Sequence, residues 1–167
     1  MHRFDDLVSR STSFTLNALR EVSGKIIDDL KNDGSTIHVK NLQMVQLQKV
    51  ILAVGMFSIF DAELQNLLKC RNGFEEAKKI LAQKGNLLLL EQFDSFICAI
   101  NVLKHGKGSS YNSLISKVQT LPFRVKMPGE YFFFEGDVSE VNTLIEVDDQ
   151  FVLNCAELIE KVAKQVT

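Results

Sequence analysis

Several residue types are scarce in this chain of 167 residues, and each scarcity excludes a class of protein. The sequence has no tryptophan, two prolines and three cysteines. The low proline content and the 46% of hydrophobic residues both argue against a disordered chain. Cys70, Cys98 and Cys155 are odd in number and widely spaced among apolar residues, so they form neither a disulfide framework nor a metal-ligand pattern. We expect three reduced thiols.

Net charge and long apolar runs are also limited. Nineteen basic and 21 acidic residues give a net charge of -2, which excludes binding of nucleic acid through a general basic field but leaves a local basic patch open. The most apolar run, Val50 to Phe60, is shorter than the roughly 20 residues of a membrane-spanning helix, so we expect a buried helix centre and no membrane association. The N-terminus lacks the apolar stretch of a secretory signal, which favours a cytoplasmic protein.

Apolar residues recur every three or four positions through most of the chain, and this spacing predicts helices. The five main helices are predicted at about residues 3–32, 41–70, 74–83, 87–104 and 149–166, with a candidate break at Ser9 to Ser13. A short further helix is predicted from Ser109 to Val118. Because no linker or repeat appears, we expect one domain over residues 1–167, folded as an all-α antiparallel bundle with the second helix at its middle.

The segment after Leu121 departs from the helical pattern. It contains both prolines and the aromatic run Tyr131 to Phe134, which favour a small extended flap or hairpin. Thr143 to Val147 fits either a second short strand or a helix. Three consecutive phenylalanines cannot all face one way in a strand, so the aromatic run is either a dimer contact or a flap packed on its own bundle.

The residues with the clearest chemical potential lie at the end of the fourth helix. Asn101 and His105 are one turn apart, on a stripe that also carries Asp94 and Cys98. Histidine is the commonest general acid or base, and the end of a helix exposes its ring. The alternative is that His105 only forms hydrogen bonds with the last carbonyl groups of its helix and interacts favourably with the helix dipole. His105 and Asn101 are the candidate catalytic residues.

Several lysine and hydroxyl side chains lie close together in the sequence at the same helix end, and such groups can bind a phosphate. The candidate substrate-binding residues are Lys104, Lys107, Ser110 and Tyr111, and the alternative is a solvated, flexible helix end. The three histidines are far apart in sequence, with no acidic or cysteine partner at ligand spacing, so we expect no metal site. No glycine-rich phosphate loop is present, and we expect no cofactor.

The stretch from Ala99 to Gly106 resembles the signature region of HEPN-domain proteins, which are small helical bundles common in prokaryotic toxin–antitoxin and defence systems. In that family an arginine, often followed by asparagine, precedes a histidine by four to six intervening residues near a helix end. Asn101 and His105 match this pattern. The three permitted arginine positions hold Ile100, Ala99 and Cys98 instead.

The resemblance implies a metal-independent endoribonuclease, in which the histidine helps a ribose 2′-hydroxyl attack the adjacent phosphate and the arginine stabilises the charge. It also implies a homodimer that brings two motifs to one cleft, with RNA and a protein antitoxin or regulator as partners. Because the arginine is missing, we expect an RNA-binding protein or a weakened endoribonuclease. The alternative is a non-catalytic, dimeric protein-interaction module.

Overall fold

A computed structural model describes residues 4–130 and 140–166, and this part of the chain contains six α-helices and one 3₁₀ turn. The helices are α1 (Phe4–Asn32), α2 (Thr36–Leu68), α3 (Gly73–Gln83), α4 (Leu87–His105), α5 (Ser109–Ser116) and α6 (Asp149–Val166). The predicted all-α bundle with five main helices is confirmed, and α5 is the predicted short helix.

Short polar residues and a glycine set several of the helix boundaries. Ser35 accepts a hydrogen bond from the backbone N–H of Ile37 at the start of α2, and Asn72 accepts one from the N–H of Glu75 at the start of α3. Gly106 ends α4 with a φ of 73°, in the left-handed region that glycine adopts most easily. These boundaries therefore follow from local sequence.

Two predicted boundaries in the first half of the chain are wrong. The helix α1 continues without a break through residues 9–13, and two of their side chains face other parts of the protein. Ser9 Oγ donates to Glu160 Oε2 at 3.1 Å, and Thr12 is buried. The helix α2 begins at Thr36, not near Asn41, since Ser35 caps an additional turn.

Phenylalanine rings form the centre of the hydrophobic core. Phe57, Phe60, Phe74 and Phe93 pack together where α2, α3 and α4 meet, and the Phe74 and Phe93 rings are perpendicular with centroids 5.4 Å apart. A second group, Phe96, Phe123 and Phe151, joins α4 to α6 and to the segment after Leu121. Both groups belong to one apolar cluster to which all six helices contribute.

The helix α2 touches α1, α3, α4 and α6, which confirms its predicted central position. The expectation that the centre of α2 is buried is only partly correct, because the neighbouring helices cover only one side of α2. Ala53, Phe57 and Leu64 are fully buried, whereas Ile51 and Ile59 are each about half exposed. Among the helices of the described residues, α2 alone has the length and composition of a membrane span, and 33% of its most apolar stretch is buried within the protein.

Between α5 and α6, the described residues contain the 3₁₀ turn Val118–Thr120 and otherwise irregular chain with one point of strand-like pairing. Val125 and Ile145 form an isolated antiparallel bridge, with hydrogen bonds from Lys126 N to Leu144 O and from Glu146 N to Arg124 O. Residues 143–147 are therefore not helical, but they form this single bridge and no regular strand. The aromatic run Tyr131 to Phe134 lies outside the described residues.

An ionic contact fixes the start of α6 against the first two helices. Asp149 Oδ2 lies 2.6 Å from Arg20 Nε, and Asp149 Oδ1 lies 2.8 Å from Lys49 Nζ. Burial by itself raises the pKa of the Asp149 carboxyl, but hydrogen bonds from Lys49 and Arg20 outweigh burial and hold this pKa below its ordinary value. The ionised form of Asp149 therefore stabilises the fold.

A close backbone approach fixes the start of α3 against α2. A Cβ atom at Gly73 would lie 2.6 Å from the Asp61 carbonyl oxygen and 2.6 Å from Leu64 Cβ. The side chain of Asp61 also accepts a hydrogen bond from Phe74 N at 3.1 Å. Only glycine lets the two helices meet this closely.

We expect Gly73→Ala to lower the free energy of unfolding by about 1–3 kcal/mol, because the added methyl group forces α3 away from α2. Urea denaturation followed by circular dichroism measures this change. The matched control is Gly24→Ala within α1, where a Cβ meets nothing within 4 Å and a helix-favouring residue should stabilise by about 0.5–1 kcal/mol. Equal stability of the two variants would contradict the proposed close approach.

We expect Asp149→Asn to destabilise the protein by about 1–2 kcal/mol at pH 7, because Arg20 and Lys49 lose their anionic partner. Because the pKa of Asp149 is lower in the native state, its ionised form stabilises the fold at pH values above the unfolded-state pKa of about 3.9. This stabilisation is lost as the pH falls through the native-state pKa. The difference in free energy of unfolding between wild type and Asp149→Asn should therefore disappear below about pH 4. Glu157→Gln, which removes an exposed pair with Lys161, is the control; a gap that persists in acid would refute the assignment.

Candidate functional site

The end of α4 and the start of α5 form a tight connection, the α4–α5 turn, which comprises residues 104–110. The N–H of Gly106 donates to Val102 O at 2.8 Å and closes α4 directly after His105. Three residues later α5 begins, and no side chain caps its N-terminal N–H groups, because its N-cap residue is Gly108. The carboxyl end of one helix and the amino end of another thus lie within a few residues.

The predicted catalytic and cationic residues lie on the outside of this turn. Lys104, His105 and Lys107 are exposed, and Asn101, one helical turn before His105, is half-buried. Among the residues that the structure describes, none of these four side chains has a hydrogen-bond or ion-pair partner. The open imidazole that the catalytic hypothesis requires is therefore observed.

The earlier part of the polar stripe on α4 is covered by neighbouring helices. Asp94 lies 3.3 Å from Lys78 Nζ of α3 and 3.6 Å from Lys117 Nζ, which follows α5. The hydroxyls of Ser110 and Ser113 are within hydrogen-bonding reach of the Cys98 sulfur. Burial and the Asp94 carboxylate raise the pKa of the Cys98 thiol, so it stays protonated near neutral pH and is a weak nucleophile. His105, at the outer end of the stripe, is exposed, whereas Asp94 and Cys98 are partly buried.

The position of Tyr111 differs from what a substrate-binding residue requires. Its side chain is buried, and its hydroxyl donates to the Lys126 carbonyl oxygen at 2.6 Å. This bond anchors α5 to the extended segment after Leu121. Ser110, the other predicted hydroxyl, is half-buried at the start of α5. Of the four candidate binding residues, Lys104 and Lys107 are thus the two that solvent reaches freely.

The structure also explains why two of the arginine positions cannot hold a cation. Ala99 and Ile100 are buried in the hydrophobic core, where a guanidinium would have no counter-charge. Cys98, at the third position, lies on the stripe that α5 covers. Two of the arginines in the described part of the chain are bound elsewhere, since Arg20 contacts Asp149 and Arg124 contacts Glu130.

A segregation of charge around the turn is a signal that sequence analysis missed. Residues 95–129 contain five lysines and arginines but no aspartate or glutamate, although the whole chain is slightly acidic. Acidic residues outside this stretch neutralise three of the five: Asp94 pairs with Lys117, Glu130 with Arg124 and Glu140 with Lys126. Lys104 and Lys107 have no acidic partner among the described residues. The α4–α5 turn is therefore a local basic site.

The described residues hold no group of three histidine, cysteine, aspartate or glutamate side chains that could bind a metal ion. The exposed side chains of the α4–α5 turn are those of one histidine, which can transfer a proton, and of two lysines, which can stabilise negative charge.

In the comparisons with known proteins, no family model, no curated protein and no solved structure matches this chain.

Proposed function

We propose that this chain is a HEPN-like protein that binds RNA at the α4–α5 turn and acts there as a weakened, metal-independent endoribonuclease. The observation that carries this proposal is the exposed His105, which stands between Lys104 and Lys107 with no acidic partner among the described residues. The uncapped N–H groups at the start of α5 add further donors for a phosphate. On the same resemblance we propose a toxin–antitoxin or defence context.

The chemistry of the proposed site follows from these side chains. His105 removes the proton from a ribose 2′-hydroxyl, and the 2′-oxygen then forms a bond to the adjacent phosphorus. The bond from phosphorus to the 5′-oxygen breaks and the 5′-oxygen takes a proton from water, which leaves a 2′,3′-cyclic phosphate and a 5′-hydroxyl end, while His105 releases its proton to solvent. Lys104 and Lys107 stabilise the charge on the phosphate oxygens, and Asn101 orients the substrate.

The missing arginine sets the expected strength of the activity. An arginine holds a phosphate with two parallel hydrogen bonds, whereas a lysine acts as a compact point charge on a flexible stem. Lysines at an exposed turn therefore bind a phosphodiester with less orientation. We accordingly propose slow cleavage with measurable RNA binding.

A second candidate function is a non-catalytic protein-interaction module. The specific observation in its favour is the set of large apolar side chains that α1 and α2 expose, among them Phe14 and Ile51. Single-stranded RNA would then remain uncut by the wild-type protein. The two candidates are thus separated by one cleavage assay.

We expect purified protein in EDTA to cleave single-stranded RNA, and His105→Ala to lower the rate by about 10²–10⁴-fold, because the general base is lost. The products should carry 2′,3′-cyclic phosphates, which mass spectrometry detects. His38→Ala is the matched control, since His38 lies on α2 beside Asp33 and away from the turn in sequence. Cleavage that persists in His105→Ala, or that is absent from wild type, would refute the enzymatic proposal.

We expect the double variant Lys104→Ala, Lys107→Ala to weaken RNA binding and to flatten its salt dependence. Each lysine that neutralises a single-strand phosphate contributes about 0.7 to the slope of log K against log salt, so the slope should fall by about 1.4. Fluorescence anisotropy at several salt concentrations measures both effects. Lys25→Ala, Lys40→Ala removes two other exposed lysines and should leave the slope unchanged; an equal change in both double variants would place RNA binding elsewhere.

A further inference from the structure

A groove lies between α1 and α2, and we call it the α1–α2 groove. It encloses about 360 Å³, which is in the size range of small-molecule binding pockets. Three of the large apolar side chains that line it, Leu7, Ile51 and Ile59, are each about half exposed. Gly55 also belongs to the lining, and a Cβ atom built there meets nothing within 4 Å. The groove therefore has the volume for a ligand and is open to solvent.

The lining of the α1–α2 groove includes a buried hydroxyl group that makes no hydrogen bond. Thr12 is 1% exposed, and its Oγ1 atom has no hydrogen-bond partner among the residues that the structure describes. Ser95, another buried hydroxyl residue within a helix, donates instead to Glu91 O at 2.8 Å. A buried polar group without a partner lowers stability and is uncommon in native proteins. The Thr12 hydroxyl thus indicates that a bound molecule supplies its partner.

The lining of the groove also restricts what this molecule can be. Among the described residues, ten line the groove, none of them is charged, and only Ser11 and Thr12 are polar. An ionised ligand would lose its hydration there without gaining a counter-charge. A buried water molecule typically makes about three hydrogen bonds, which is more than two hydroxyl side chains among apolar neighbours readily supply. The lining therefore favours an uncharged and mostly apolar ligand.

We infer that the α1–α2 groove binds a small, uncharged aliphatic molecule that carries one hydroxyl or carbonyl oxygen. The aliphatic chain packs against Leu7, Ile51 and Ile59, and each methylene group that it buries there contributes to affinity. The oxygen forms a hydrogen bond with Thr12, whose hydroxyl can both donate and accept. This site goes beyond the proposed RNA chemistry, because its lining belongs to α1 and α2 and not to the α4–α5 turn.

The volume of the groove sets the size of the ligand. An apolar cavity of about 150 Å³ holds one benzene molecule, which has six carbon atoms. By the same ratio, about 360 Å³ has room for up to roughly 14 carbon atoms. A chain of medium length therefore fits, and 1-octanol is a suitable probe because it combines such a chain with a single hydroxyl group.

Titration of the full chain with 1-octanol, followed by NMR of ¹³C-labelled isoleucine methyl groups, tests this inference. We expect the Ile51 and Ile59 signals to shift together and to saturate at one equivalent, with a dissociation constant of about 1 mM or lower. The signal of Ile159, which is buried in α6, should not move. Octanoate at pH 7 should bind at least about 10-fold more weakly, because its carboxylate would enter an uncharged site.

Gly55→Leu tests whether the ligand occupies the groove itself. The added side chain projects into the open space above Gly55, so the dissociation constant of 1-octanol should rise at least about 10-fold. Gly24→Leu is the matched control, because Gly24 is also a helical glycine with open space around its Cβ but lies outside the lining of the groove. It should bind 1-octanol as wild type does. Circular dichroism checks that both variants remain helical.

Thr12→Val separates a ligand contact from a structural role. The substitution replaces an unpartnered hydroxyl by a methyl group of similar shape, so it should raise the Tm of the ligand-free protein. The same variant should bind 1-octanol about 2–10-fold more weakly, because the hydrogen bond to the ligand is lost. A purely structural role of Thr12 would not produce higher stability together with weaker binding.

Three outcomes would overturn the inference. The first is the absence of saturable binding of 1-octanol to wild type, which includes the case in which another protein chain already covers the groove. The second is undiminished binding to Gly55→Leu, and the third is equal affinity of wild type and Thr12→Val. These titrations contain no RNA, so their outcome is independent of cleavage at His105.

Discussion

The architecture depends on one constraint: α2 is apolar around most of its circumference, and a chain of this length covers only part of it. The covered side holds the phenylalanine cluster around Phe57 and Phe60, against which α3 and α4 are packed. Burial of these rings contributes to the driving force for the fold, at about 25 cal/mol per Å². The positions of α1, α3, α4 and α6, and the apolar surface that remains exposed, follow from which side of α2 is filled.

Most of the fold was predictable because its signals are local. The three- and four-residue spacing of apolar residues located five helices, and Gly106, Asn72 and the Asp148–Asp149 pair marked their ends within a few residues. The failures concern contacts that sequence spacing cannot show. The serines of α1 look like a helix break until the bond from Ser9 to Glu160, 151 residues away, is seen. Periodicity likewise identified α2 as apolar but did not show which side the other helices would cover.

The candidate site was predictable to a similar extent and for similar reasons. The exposure of His105 follows from its place directly before a left-handed glycine, and the stripe of Asp94 and Cys98 follows from the helical repeat. The burial of Tyr111 could not be predicted in this way, because its hydroxyl donates to the Lys126 carbonyl oxygen in a segment that packs beside α5. The absence of acidic residues from 95–129 is visible in the sequence. The sequence does not show, however, that acidic residues outside this stretch pair with Lys117, Arg124 and Lys126 and leave Lys104 and Lys107 as its exposed cations.

The contact between the first helix and the last has a consequence for how the protein is made. The helix α6 packs against both α1 and α2, and Asp149 at its start joins Arg20 to Lys49. Translation adds about 5–20 residues per second, so the roughly 100 residues between the end of α2 and the end of α6 take about 5–20 s to synthesise. Throughout that interval the surface of α1 and α2 that α6 covers in the finished protein stays exposed. The nascent chain therefore exposes aggregation-prone apolar surface until its final helix has emerged.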